Sequence, residues 1–372
     1  MKHFKKLINV DKEKRLFTAE GGIMISELNE LLRDRGYALS VLGSISELTL
    51  AGVICTGTHG TGIQFGNLAS SVTEIELMTS DGEIRTLSKE ADGDVFRAAA
   101  VSLGCLGVIL KVTAKCEEAF NLKQNSYGAN IKDLLENLDV HLKASDHFRF
   151  MWYPHTDQCV TFHTRRTQEA VRRSHSWFWD YLIGFYLLEF LLWISTWFKG
   201  FVPLINRTYS RINSKPSEFI DVSYKVFNFN CLFRQYVMEW AIPIEKTQLA
   251  LFELKNWIGN SGFEAHSPVE VRFVRGDDML LSPANGRDVC YVNIIMYRPY
   301  NKLVAHAEYW EAFKQIMLRN DGRPHWAKDH LMTAKELRPL YPKWDTFCRI
   351  RQKMDPKGMF MNENLKNTLS YS

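Results

Sequence analysis

Residues Ala51 to Gly62 read AGVICTGTHGTG, placing four glycines, three threonines and one histidine in twelve positions, the first two of which close the apolar-rich LTLAG. Glycine has no Cβ, so a turn built from Thr56, Gly57, Thr58, His59, Gly60, Thr61 and Gly62 lets backbone N–H groups approach a ligand closely. Hydroxyls and oriented amides then form a concavity suited to phosphate oxygens or to the polar edge of a flavin ring. A tight turn with no ligand is the alternative. The stretch is not a Walker loop, since no Gly-Lys-Ser/Thr follows, and it does not match G-x-G-x-x-G. A second constellation is Glu270 and Arg272 in PVEVRFVRG, where strand alternation puts both charges on one face. From the residues alone this reads as an ion pair on a solvated strand.

The elements that must carry these residues follow from periodicity. LFTAEGG is a strand ending at Gly21 and Gly22, and ISELNELLRDRGY is a helix with Ile25, Leu28, Leu31 and Leu32 on one face and Gly36 as its stop. VTEIELMTSDGEIRTLS reads as a hairpin, and DVFRAAAVSLGCLGVILKVTAKC as helix, glycine turn and strand. The texture changes near residue 119. IKDLLENLDVHLKAS, IEKTQLALFELKNWIGN and HAEYWEAFKQIMLRN read as helices; FRFMWYPHTDQCVTFHT, VEVRFVRG and CYVNIIMYRP read as β segments. The fold class is α+β, with a sheet covered by helices on one side.

At 372 residues the chain is long enough for two cores, because single cores rarely grow past ~250–300 residues. A net charge of +4 gives no support for nucleic-acid binding. Seven cysteines are scattered without a C-x-x-C pair, so neither a disulfide framework nor a metal site is encoded locally, and they read as mostly buried thiols. The opening MKHFKKLINV lacks the apolar core of a signal peptide. From Tyr181 to Phe198 run 18 residues whose only charge is Glu189, preceded by the basic residues Arg165, Arg166, Arg172 and Arg173, with Trp177 and Trp179 before the run and Trp193 and Trp197 within it suited to a headgroup interface. This length sits at the lower edge of a membrane span, and a segment of about 177–210 is expected to associate with a membrane; a buried helix of a large core is the alternative. The sequon Asn206-Arg-Thr208 matters only if its loop is lumenal.

LGSISELTLAGVICTGTHGTGIQFGNLAS, GCLGVIL, PVEVRFVRGDD, RPHWAKDH and DPKGMF, in that order, resemble the sugar-lactone oxidases of the vanillyl-alcohol oxidase type FAD flavoproteins. The likeness runs from about Val10 to the C-terminus. It implies a partial FAD-binding domain over residues 1–118, a substrate domain with a large antiparallel sheet over 119–344, and a tail from about 345 to 372 packed back on the first. It implies FAD contacts from Ser44, Thr49, Gly52, Thr56, Gly57, Thr58 and His59, with Val108 and Ile109 meeting the adenine end. The small residues of the turn would then let the flavin reach the backbone. Glu270, Arg272 and Lys328 resemble the catalytic set. Ser44 and His325 would join Glu270 and Arg272 in holding substrate, though His325 has a plain alternative as a hydrogen-bonded helix-end residue. A fixed lysine would stabilise the negative charge that a reduced flavin develops.

The implied reaction oxidises L-gulono-1,4-lactone, or a related aldonolactone, at C2 with oxygen as acceptor, giving L-ascorbate and hydrogen peroxide at an endoplasmic-reticulum membrane. Relatives carry an upstream glycine-rich loop and, in animal members, a histidine bonded covalently to the flavin. AEGG at Ala19 to Gly22 has no following histidine and His3 has no glycine context, so no attachment residue is assigned. The front of the chain therefore reads as truncated, and a membrane-associated relative that binds no FAD and is inactive is the second expectation.

Overall fold

The computed structural model describes residues 3–173, 178–228 and 232–370. Trp177 and Cys231 lie outside the described residues. Two antiparallel sheets organise the chain. The first orders its five strands Leu7–Asp11, Leu16–Glu20, Val108–Lys115, Val72–Met78 and Ile84–Ser88. The helices Ile25–Arg33 and Lys89–Ala100 supply Leu28, Leu32, Phe96 and Ala99 to its core. The expected strand, helix and hairpin of this region all form, and Gly36 follows the first helix at φ +82°, where a side chain would be strained.

The second sheet has eight strands in the order Ser217–Val222, Asn121–Asn130, Gln158–Thr167, His147–Trp152, Val269–Val274, Val289–Tyr297, Gln235–Pro243 and Arg323–Pro324. Its central strand Val289–Tyr297 is buried on both faces, unlike a strand of a half-wet sheet. One face, with Val271, Val292, Ile294 and Trp240, packs under the helices Thr247–Ser261 and Ala307–Arg319 through Leu251, Leu254, Trp310 and Phe313. The opposite face carries Arg272, Glu270, Asn293 and Glu239 and faces the first sheet's loops. The helix Trp344–Met354, near the C-terminus, returns to the first sheet, where Ser80 Oγ donates to the Met354 carbonyl at 2.9 Å.

Two expectations change. IKDLLENLDVHLKAS is not one helix but two, Ile131–Glu136 and Leu138–Lys143, broken where Asn137 turns its side-chain amide onto the Asp133 carbonyl at 2.8 Å. The apolar run forms helical turns over Phe178–Leu187 and Leu188–Ser195, then reverses at Gly200 (φ +83°) into the helix Phe201–Asn213. Among the described residues no helix is long and apolar enough to cross a membrane. The hairpin instead buries Leu192, Ile205 and Tyr209 against the open face of the large sheet. Glu189 accepts a hydrogen bond from the Tyr300 N–H. The sequon asparagine, Asn206, is 1 % exposed and donates to the carbonyls of Pro154 and Ala265, so the folded chain offers no acceptor for a glycan there.

Candidate active site

The glycine and threonine turn is sewn onto the second sheet. Strand Val269–Val274 pairs with His147–Trp152 only as far as Arg272, which leaves the backbone of Phe273 open on that side. Gly62 N–H takes the Phe273 carbonyl at 2.7 Å, Thr61 Oγ1 accepts from Phe273 N–H at 3.2 Å, and Thr61 Oγ1 donates to the Phe148 carbonyl. His147 Nδ1 meets the Thr61 carbonyl at 2.8 Å. These bonds set His59 over the sheet, its ring stacked on Tyr291 with centroids 3.5 Å apart.

The turn and the open sheet face enclose a cavity of about 460 Å³, within the range of ordinary ligand sites. Of the residues singled out from the sequence, Ser44, Thr58, His59, Glu270, Arg272, His325 and Lys328 all line it. Thr49, Gly52, Thr56, Gly57, Val108 and Ile109 do not. Thr49 and Gly52 are exposed at the start of the helix Leu50–Cys55, and Thr56 Oγ1 donates to the Gly52 carbonyl and lies 3.3 Å from Thr58 Oγ1. Val108 pairs with Met78 in the first sheet, and the Ile109 side chain is in that sheet's core.

The fold itself requires glycine at several places in the turn. A Cβ on Gly60 would overlap the Leu42 carbonyl oxygen and lie 2.5 Å from Val41 Cγ2; on Gly62 it would lie 2.6 Å from the Asp146 carbonyl oxygen. Gly57 sits at φ +64°. Close approach of the protein's own segments, together with a left-handed backbone, already demands glycine at these places.

Two carboxylates and two guanidiniums hold the charged end of the cavity. Glu270 Oε1 accepts from Arg149 Nη1 at 2.7 Å, and its other oxygen lies 3.7 Å from Arg272 Nε. Glu239 Oε1 accepts from Arg272 Nη2 at 2.5 Å and lies 3.3 Å from His59 Nε2. Ser44 Oγ accepts from Arg272 Nη1 at 3.4 Å. Burial pushes Glu270 upward, but Arg272 and Arg149 outweigh it and hold the carboxyl below its usual range. Burial acts the same way on Glu239, and Arg272 holds it well below the usual range. Both are therefore anions at neutral pH. Burial and Arg272 lower His59 against the pull of Glu239, and burial takes His325 down to about 3. Both imidazoles are neutral.

His59, Glu239 and His325 each turn one donor atom to a common point, within 4.8 Å of one another. Their bonding disfavours a metal ion. His325 Nδ1 accepts from the Ala327 N–H at 3.1 Å, so the remaining nitrogen of the neutral ring carries the proton and has no lone pair to give. Arg272 already occupies the Glu239 carboxylate with a positive charge.

The profile of the D-arabinono-1,4-lactone oxidase family matches residues 112–368. The chain belongs to the D-arabinono-1,4-lactone oxidase family. A FAD binding domain profile matches residues 1–88. Among lactone oxidase relatives, L-gulonolactone oxidase of Scyliorhinus torazame is 48% identical over 98% of this chain and 83% of its own length. That of Bos taurus is 49% identical over 97% and 82%. L-gulono-1,4-lactone dehydrogenase of Mycobacterium tuberculosis is 33% identical over 99% and 85%. Cholesterol oxidase from B. sterolicum shares the fold at a TM-score of 0.80 and 16% identity, covering 99% of this chain and 84% of that one.

For a lactone oxidase whose cofactor is FAD, the cavity end beside Ser44, Thr58 and His59 fits the flavin ring. One buried donor there, Arg272 Nε, makes no hydrogen bond within the chain, and a polar ring edge supplies the acceptor it lacks. Lys328 adds a positive charge at the rim. Glu239, Arg149 and Tyr291 were not singled out from the sequence. The available signal was a charge inside an apolar strand, Glu239 in QYVMEWAIP and Arg149 in HFRFMW.

Proposed function

We propose that this chain catalyses the FAD-dependent oxidation of L-gulono-1,4-lactone, or a closely related aldonolactone, at C2, with oxygen as acceptor and L-ascorbate and hydrogen peroxide as products. The observation that carries the reading is the convergence of Glu270, Arg272 and Lys328 on one cavity beside Ser44 and His59. FAD, when bound, supplies the two-electron acceptor for the hydride that leaves C2. The protein's own part is orientation. Glu270, kept anionic by its two guanidiniums, accepts hydrogen bonds from lactone hydroxyls, and Arg272 donates to ring oxygens. Arg272 is itself fixed by Glu239, so its fork does not have to be ordered when substrate arrives. Lys328 is a compact cation that stabilises negative charge developing beside it.

The test is direct. Protein purified with added FAD is expected to be yellow and to release hydrogen peroxide on addition of L-gulono-1,4-lactone, with activity lost in Glu270→Ala and Lys328→Ala. A colourless protein that stays inert with added FAD would overturn the reading.

The same proposal includes attachment to the endoplasmic-reticulum membrane from one side. Its support is the outer face of the helical hairpin, where Tyr186, Phe190, Trp197, Phe198 and Leu204 are exposed and Lys302 lies 3.7 Å from the Trp197 ring centroid. Aromatic and basic residues together suit a headgroup layer. Flotation with anionic lipid vesicles is expected and should fall at least tenfold in Trp197→Ser/Phe198→Ser. Flotation equal to wild type removes this patch from the account.

A further inference from the structure

The floor of the cavity is a graded surface, and the strand register supplies its ruler. On the open face, successive rows stand two residues apart along the strands, about 6.7 Å. The first row contains Arg149, Arg272 and Tyr291, and the second Met151, Glu270, Asn293 and Glu239. The third row sets Val237 opposite Ile295, and the fourth sets Gln235 opposite Tyr297. Charge is confined to the first two rows. Beyond them the floor carries no charge, Val237, Ile295 and Tyr297 outweighing the Gln235 amide, and the helical hairpin roofs it, with Ile183, Leu188 and Tyr209 packed on Val237, Ile295 and Tyr297 and Asn213 at its edge. Phe233 closes the side against Tyr297, ring centroids 4.4 Å apart. Tyr209 Oη donates to the Ile183 carbonyl at 2.8 Å, fastening the two arms of the roof.

The flavin end is fixed at the first row, since His59 stacks on Tyr291 and Ser44 bonds Arg272. A lactone whose C2 faces that end must direct its C5–C6 arm the other way, along the strands toward the third and fourth rows. A free aldonolactone has only hydroxyls on that arm, which is poor company for isoleucine, leucine and phenylalanine. We propose that the cavity is built for amphiphilic aldonolactones: the polyol head lies on Glu270, Arg272 and Lys328, and an apolar group attached through the distal C6 oxygen lies between the third and fourth rows and the hairpin. This rests on the lactone-oxidase reading and names the substrate class of that same site.

The experiment compares L-gulono-1,4-lactone with its 6-O-acetyl and 6-O-butanoyl esters, which are too short to form micelles. Dissociation constants are measured by calorimetry and turnover by peroxide release, on the full chain with FAD added. Each buried methylene contributes up to about fourfold in affinity. The butanoyl ester is therefore expected to bind at least about tenfold more tightly than the free lactone, with acetyl between them. Within Leu188→Asn and within Phe233→Ser, the ratio of ester to free-lactone affinity should fall toward one; using a ratio cancels any general loss of folded protein. Esters that bind no more tightly than the free lactone overturn the proposal, as does a gain that survives in both variants. If the affinity series holds but none of the three compounds is oxidised, the oxidase reading fails and the two-part cavity stands.

Discussion

Replacing Glu239 by glutamine tests the charge balance of the site. Among the four groups at its charged end, Glu239 and Glu270 carry two negative charges and Arg272 and Arg149 two positive ones. The substitution keeps an oxygen to accept from Arg272 but leaves one buried positive charge unmatched. With guanidinium and carboxylate centres about 4 Å apart, the lost attraction is about 4 kcal/mol at an effective dielectric of 20. Loss of one partner of a buried pair typically destabilises by about 3–5 kcal/mol. The retained hydrogen bond puts the expectation at the low end, about 3 kcal/mol, or a melting temperature lower by about 4 °C for a chain of this length. Because Glu239 is depressed well below its ordinary value of 4.5, its contribution is complete above about pH 5 and is lost as pH falls through the depressed value. The gap between wild type and Glu239→Gln should therefore be full at pH 7 and narrow in acid. In kcat/KM, a guanidinium freed from its brace should lower activity about 100-fold. Urea unfolding at pH 7 and steady-state kinetics measure both. Adding Arg272→Met to Glu239→Gln removes the unmatched charge and should restore part of the stability and none of the activity, the buried amide left without its Arg272 partner keeping the recovery incomplete. A single variant within about 0.5 kcal/mol of wild type would refute the charge accounting.

Lys328→Met is expected to lower kcat/KM by about 100- to 1,000-fold, and Lys328→Arg to recover part of it, because a fixed positive charge is what the position supplies; equal losses in both would show that shape matters there and charge does not. Gly60→Ala should destabilise by about 1–3 kcal/mol through its overlap with Leu42 and Val41. Thermal melts with and without FAD distinguish this from a flavin clash: the loss should be the same in both. Asp277 accepts from Asn67 Nδ2 at 2.8 Å and from Ser282 Oγ at 2.6 Å, joining a first-sheet loop to the second, and burial raises it from 3.8 to about 6. A carboxyl raised on folding binds its proton more readily in the folded state, so stability should decline as pH rises from about 4 to 6. In Asp277→Asn that segment of the stability profile should flatten, and an unchanged slope would remove Asp277 as its source.

How far the site could be seen in the chain depends on whether its chemistry is local. Glu270 and Arg272 are two apart in one strand, so alternation alone places them on one face, and the structure does so. His59 and Thr58 stand out because glycines surround them, although those glycines answer to Leu42, Val41 and Asp146 as much as to any ligand. Glu239 is different. Its neighbours Met238 and Trp240 are core residues, and nothing within QYVMEWAIP tells which strand will lie beside it. It becomes part of the site only when Gln235–Pro243 and Val269–Val274 both pair with Val289–Tyr297, putting Glu239 and Glu270 on either side of Asn293.

Hydropathy had the same limit in the run from Tyr181 to Phe198. An apolar helix of this length is compatible with a bilayer or with a protein core, and composition cannot separate the two. What decides the local structure is Gly200, whose left-handed backbone turns the chain and lets Leu192, Ile205 and Tyr209 reach the sheet. That packing converts a hydrophobic segment into the roof of the cavity, apolar inside over Ile295 and Tyr297 and apolar outside at Trp197 and Phe198. Neither strand Val289–Tyr297 nor the hairpin encodes a two-part site alone. The gradient from charge to hydrocarbon exists only because register aligns the second residue of each step across three strands, and because the hairpin covers the far rows and leaves the near ones to the turn at His59.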